Sequence, residues 1–178
     1  DVYKRQTNFR YAMPCADKYA DSTFASLQYM KGGMEFGRCY CDNHQSLMLA
    51  LRDLRILHEP SQQGVPQTNS RIERCNGVIM DGTRATLANA GLPACFWPYA
   101  AQCFCTLTNI SYTPGEESAW CKLHGSEFTG ERIPFGSHVF FKPSPTKYPV
   151  PKSHPRRQSG IMLGYRLAPG FVWKGEYW

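Results

Sequence analysis

Two carboxylates, Asp42 and Glu73, are the side chains in this 178-residue sequence best placed to do chemistry. Asp42 closes "MEFGRCYCDN", which reads as a strand, and Glu73 lies in "PQTNSRIERCNG", which reads as the start of a helix. A strand end and a helix start can bring two hard oxygen donors together around a divalent ion, as metal-assisted phosphoryl transfer requires. Such sites normally add a third carboxylate, because two ions need several negative ligands between them. Glu73 also has a plainer reading. Ser70-Arg71-Ile72-Glu73 has the form of a capping box, in which the hydroxyl and the carboxylate each satisfy an orphan N–H of the first helical turn. The residues alone leave both readings open. "CYCDNH" offers Cys39, Cys41 and His44 as a competing set of zinc ligands, but no second ligand pair at zinc spacing accompanies it.

The elements that must position these groups alternate through the first two thirds of the chain. "FRYAMPC" (9–15) reads as a short strand, "KYADSTFASLQYMKGG" (18–33) as a helix stopped by Gly32-Gly33, and 34–42 as a second strand. "HQSLMLALRDL" (44–54) is helical, "RILHEP" (55–60) is a strand, and "SQQGVPQT" (61–68) is a loop rich in breakers. A helix is expected from Ser70 to about Ala90, where Gly91 and Pro93 end it, and "ACFWPYAAQCFCTLTNI" gives a further, deeply buried helix. Trp97, Phe96 and Phe104 are expected as core aromatics. Alternation of strand and helix predicts an α/β layer structure. Residues 111–131 read as a linker, and 132–178 as several short strands separated by Gly and Pro, with Trp173, Tyr177 and Trp178 near the end.

Charge is unevenly placed. From Arg132 to Gly175 there are eight Lys or Arg and no Asp or Glu, whereas residues 7–131 carry ten basic and twelve acidic side chains. A basic tail on a mildly acidic body suits a polyanion, or else forms a solvated β surface. Several of the eight cysteines sit in apolar runs, where a reduced thiol behaves as a small core residue. Residues 85–115 lack charge, but Asn89, Pro93, Pro98, Gln102 and Asn109 interrupt the stretch, so no membrane span is expected. Residues 1–6, "DVYKRQ", are what GAT GTG TAT AAG AGA CAG encodes, a string that looks like the transposase end used to fragment sequencing libraries. They are set apart as an artefact, and the native protein is expected to begin upstream.

Four segments in order, "CDN" (41–43), "GVPQTNSRIER" (64–74), "GLPACFW" (91–97) and "SGIMLGYRLAPG" (159–170), resemble the integrase of copia-type LTR retrotransposons. The corresponding family patterns are S-D-N, P-Q-x-N-G-x-A-E-R, G-L-P-x-x-F-W and G-x-x-L-G-Y. The resemblance implies a truncated ribonuclease-H-like core over 7–110, a linker over 111–131 and a small, basic, β-rich region over 132–178. It implies that Asp42 and Glu73 occupy catalytic, metal-binding positions for Mg²⁺ or Mn²⁺, and that Asn69 and Arg74 stand close enough to meet DNA. Lys142, Lys147, Lys152, Arg156 and Arg157 would then read the DNA backbone. It further implies DNA as partner, a homo-oligomer in the intact parent, and an intracellular route from virus-like particle to nucleus.

The sequence also departs from that pattern. The family's first catalytic Asp lies upstream of "FRYAMPC" and has no counterpart here, since Asp1 is in the artefact and Asp17 and Asp21 lie past the matching strand. Ser70 stands for the usual Gly, Arg71 for a small or apolar residue, and Cys41 and Cys75 for commoner types. Strand transfer is therefore not expected of this polypeptide as it stands. The alternative is a non-catalytic, nucleic-acid-binding remnant. An exposed sheet edge and poor solubility are expected with either.

Overall fold

The computed structural model describes residues 2–4, 6–60, 66–112, 114–143, 151 and 153–178, of which 2–4, 66–69 and 71 are described by backbone only. Strands pair two by two. β1 (Val2–Lys4) is antiparallel to β2 (Phe9–Tyr11), so the six residues set apart above contribute a strand opposite the one that follows them. Helix α1 (Ala20–Lys31) follows, then β3 (Arg38–Cys41), α2 (Gln45–Asp53) and β4 (Leu57–Pro60), with β4 parallel to β3. Among the described residues β3 has no partner on its other edge. Helix α3 (Pro66–Ala90) packs on α4 (Trp97–Ile110), and a short α5 (Ala119–His124) lies within 111–131. The remaining strands β5 (His138–Phe141), β6 (Gln158–Ile161), β7 (Tyr165–Ala168) and β8 (Val172–Tyr177) form two antiparallel ribbons, β5–β6 and β7–β8.

Helix boundaries follow local chemistry. α1 ends where Gly32 takes φ 48°, ψ −124° and donates its N–H to Gln28 O at 2.9 Å. Ahead of it, Asp17 Oδ1 accepts the Tyr19 N–H at 3.1 Å, so this carboxylate serves a turn. α5 is bounded by a Ser118 cap, which accepts the Cys121 N–H at 3.0 Å, and by left-handed Gly125. α3 differs from expectation at its start. It begins at Pro66, whose fixed φ and missing N–H suit the first helical position, so 66–68 are helical and Ser70 lies inside the helix. Residues 61–65 of the expected loop fall outside the described residues.

The main core forms around β2 and α4. Phe9 and Tyr11 of β2, Ala100, Ala101, Cys103 and Cys105 of α4, Trp120 of α5, and Met162, Tyr165, Leu167 and Phe171 are all buried in one cluster. That cluster draws on both 7–110 and 132–178. The Phe171 ring lies 5.0 Å from Phe9 and 4.9 Å from Tyr11. Trp97 departs from expectation. It is exposed, because it opens α4 on the turn that faces solvent, while Phe96 and Phe104 pack partly buried against the core. Trp173 also packs there, and Tyr177 and Trp178 are exposed. Among the described residues no helix is long and apolar enough to cross a membrane.

Buried acids of high pKa shape the response to alkali. Tyr165 Oη accepts the Ile133 N–H at 2.8 Å and donates to Glu131 O at 3.1 Å, tying 131–133 to β7. Burial pushes its pKa up to about 12, and pushes the Cys103 and Cys105 thiols up to about 12. For these groups the neutral form is favoured in the folded state, so the folded chain binds more protons than the unfolded one above pH about 9. Their stabilisation is complete below that pH and is lost as pH rises toward 12. Denaturant titrations are expected to give a falling stability limb from pH about 9, shallower in Tyr165→Phe above pH 10; an equally steep limb in that variant would exclude Tyr165 as a contributor.

Candidate metal and nucleic-acid site

The carboxylate site is built from the parallel pair. In register, Arg38 faces Leu57, Cys39 faces His58, and Cys41 faces Pro60, so both strands end at the same edge. Asp42 follows β3 directly and is exposed; its carbonyl accepts the His44 N–H at 2.8 Å in the turn that starts α2. α3 is the next described element after β4, with 61–65 between them outside the described residues. The carboxyl ends of parallel strands are where α/β folds commonly place ligand sites. Asp42 thus leaves β3 at the edge where both strands end.

Glu73 lies seven residues past Pro66, roughly 10 Å along the helix. It sits off the stripe of Ile72, Cys75, Ile79 and Thr83 that turns toward the core, and it is exposed. The capping-box reading is therefore corrected: with the helix beginning at Pro66, Glu73 is beyond the first turn and meets no orphan N–H there. Glu73→Ala is expected to change stability by less than about 0.5 kcal/mol in thermal or urea unfolding. A loss near 1 kcal/mol, the cost of a cap, would restore the capping role.

Thiols lie beside the carboxylate. Cys41 hydrogen-bonds to Cys39, which lowers the Cys39 pKa and raises that of Cys41, with burial and the neighbouring Asp42 raising Cys41 further. His58 Nε2 reaches Cys41 O at 3.5 Å, and Arg38 pairs with Glu59 at 3.6 Å across the strands. All eight cysteines are free. Among the described residues no three His, Cys, Asp or Glu side chains form a group able to hold a metal ion, so neither Asp42 with Glu73 nor Cys39, Cys41 and His44 make a complete donor set.

The expected DNA-contacting residues fall in separate places. Arg74 is exposed on α3, and Asn69 is helical in its backbone, its side chain lying outside the described residues. Lys142, Arg156 and Arg157 are exposed at one end of the β5–β6 ribbon. Lys147 and Lys152 lie outside the described residues. Two cations that the charge count included are engaged within the chain. Arg166 pairs with Glu176 at 3.0 Å and lies over Trp178, and Arg132 lies over Tyr112, each 5.0 Å from the ring centroid. The tail's cations are thus divided between internal contacts and the ribbon end, which a count of charges cannot show.

No protein-family model matches the chain. A stretch of 72 residues is 38% identical to the "Retrovirus-related Pol polyprotein from transposon TNT 1-94" of Nicotiana tabacum. The chain thus carries a retrotransposon Pol-related region. The match covers 40% of this chain and 5% of the tobacco polyprotein, so the chain spans a small part of that relative's length. In this chain Asp42 and Glu73 are exposed, Asp42 just past β3 and Glu73 on α3, and three further exposed cations lie past the ends of β5 and β6.

Proposed function

We propose that this chain is a piece of a copia-type retrotransposon integrase, with a partial ribonuclease-H-like core over 7–110 and a basic, DNA-holding β region after it. The observation that carries the reading is the 38% identity to a transposon Pol polyprotein over 72 residues. The position of Asp42 at the carboxyl end of a parallel strand supports it, as does the place of Glu73 beyond the first turn of α3. In this reading Asp42 and Glu73 occupy ligand positions for Mg²⁺ or Mn²⁺. Their hard oxygens suit those ions, but among the described residues no third donor completes the set, so no joining step is assigned to this chain by itself. Its own contribution is duplex binding through Lys142, Arg156 and Arg157, whose exposure also favours the coarser reading of a nucleic-acid-binding transposon remnant.

The reading is tested at the parent locus. A long read across the codons for Gln6 and Thr7 is expected to show a native frame that departs from "DVYKRQ". Upstream it should pass through an apolar strand that bears an Asp. Native genomic codons for residues 1–6 would overturn the artefact assignment. An unrelated upstream domain in frame would overturn the integrase.

A further inference from the structure

The β5–β6 ribbon carries exposed apolar side chains that the backbone-reading role does not use. Its register pairs His138 with Ile161, Val139 with Gly160, Phe140 with Ser159 and Phe141 with Gln158. Val139 packs against the core, so by strand alternation His138, Phe140, Ser159 and Ile161 turn outward. Phe140 is 67% exposed and Ile161 51% exposed, unusual for large apolar side chains on one small sheet. The His138 ring stands edge-on to Phe140 at 4.8 Å and 78°, holding the phenyl face upright. Just past the last register pair, Phe141 with Gln158, Lys142 and Arg157 are exposed, with exposed Arg156 next in sequence.

An exposed phenyl ring near exposed cations fits one class of ligand well. An unpaired polynucleotide offers phosphates to the cations and an open base face to the ring, whereas a duplex hides its base faces in the stack. No Asp or Glu lies between Arg132 and Gly175 to repel it. We propose that the outward face of the β5–β6 ribbon is a platform for single-stranded nucleic acid, with Phe140 stacking on a base and Lys142 and Arg157 holding the flanking phosphates. This deepens the nucleic-acid reading above and rests on it only for the role of the cations.

The test is fluorescence anisotropy of the full chain with a labelled short oligothymidylate and with a duplex of the same length, at one fixed salt. The chain is expected to prefer the oligothymidylate. Phe140→Ala, at an exposed site, is expected to weaken that binding roughly tenfold and leave the duplex unchanged, while Phe140→Trp restores it. Lys142→Ala with Arg157→Ala is expected to weaken both. Duplex binding with no dependence on Phe140 would overturn the platform and leave the proposed function standing. Failure to bind either strand form would remove both. Sedimentation showing a dimer that Phe140→Ala dissociates would overturn the platform in favour of a second copy of the chain on this face.

Discussion

Asn109→Ala is expected to cost the fold about 3 kcal/mol. Asn109 is buried, and its amide makes two hydrogen bonds to one residue of β2: Nδ2 donates to Arg10 O at 2.7 Å and Oδ1 accepts the Arg10 N–H at 3.1 Å. The side chain thus occupies the place of a neighbouring strand on the side of β2 that faces α4. Truncation leaves the part-buried Arg10 N–H and carbonyl without these partners, each costing about 1–3 kcal/mol. Asn109→Asp separates this from simple loss of packing. The introduced carboxylate can accept from the Arg10 N–H, but its second oxygen then faces Arg10 O. Protonation turns that oxygen into a donor. Folding therefore favours the protonated form, and the variant's stability is expected to rise as pH falls. Urea unfolding at neutral and acidic pH measures both. A cost below about 1 kcal/mol for the alanine change, or a pH-independent deficit for the aspartate, would show that the amide does not close this edge.

Gly32→Ala should be comparably damaging, by about 3 kcal/mol, through a different cause. Gly32 holds φ 48°, ψ −124°, a region that L side chains avoid, and a Cβ there would stand 2.3 Å from Gly170 N and 2.6 Å from Gly170 Cα. Neither atom can rotate away, because both belong to the backbone of the turn Pro169–Phe171. The same face of α1 is held by the Tyr29 hydroxyl, which donates to the Leu167 carbonyl. The substitution therefore pushes α1 off the turn that carries Phe171 into the core. Gly33→Ala is the matched control, since its Cβ would meet nothing within 4 Å, and it should move stability by less than about 0.5 kcal/mol. Equal midpoints for the two variants in urea would contradict the close approach.

These two residues also show how far the sequence could be read. Gly32-Gly33 is legible as a helix stop because local backbone chemistry decides it, and α1 ends there. That Gly32 must also touch Gly170 is a fact of tertiary structure, with no local trace. Asn109 is legible as a polar interruption of an apolar run, but its use as a surrogate strand depends on β2, 99 positions away. The start of α3 carries two competing local signals, Pro66 and the Ser70–Glu73 box. Pro66 prevails, because once it nucleates the helix the serine has no orphan N–H left to cap. Trp97 misleads because its neighbours are apolar, while its position on the first turn of α4 turns it outward. α5 is short enough for its Ser118 cap to be lost among turn residues. In the β-rich region the charge count was legible. The partition of cations was not, since it depends on which strand pairs bring Arg166 to Glu176 and leave Lys142 and Arg157 exposed past the ends of β5 and β6.

The most direct test of the proposed nucleic-acid role is a duplex DNA titration over a range of salt, with the wild-type chain and with Asp42→Ala/Glu73→Ala. Backbone binding through Lys142, Arg156 and Arg157 is expected to give a logarithmic salt slope of about −3, lost on alanine substitution of those three and unchanged by the carboxylate pair. Salt-independent binding, or binding abolished by the Asp42 and Glu73 changes while the ribbon cations remain, would contradict the assignment of DNA to the basic region.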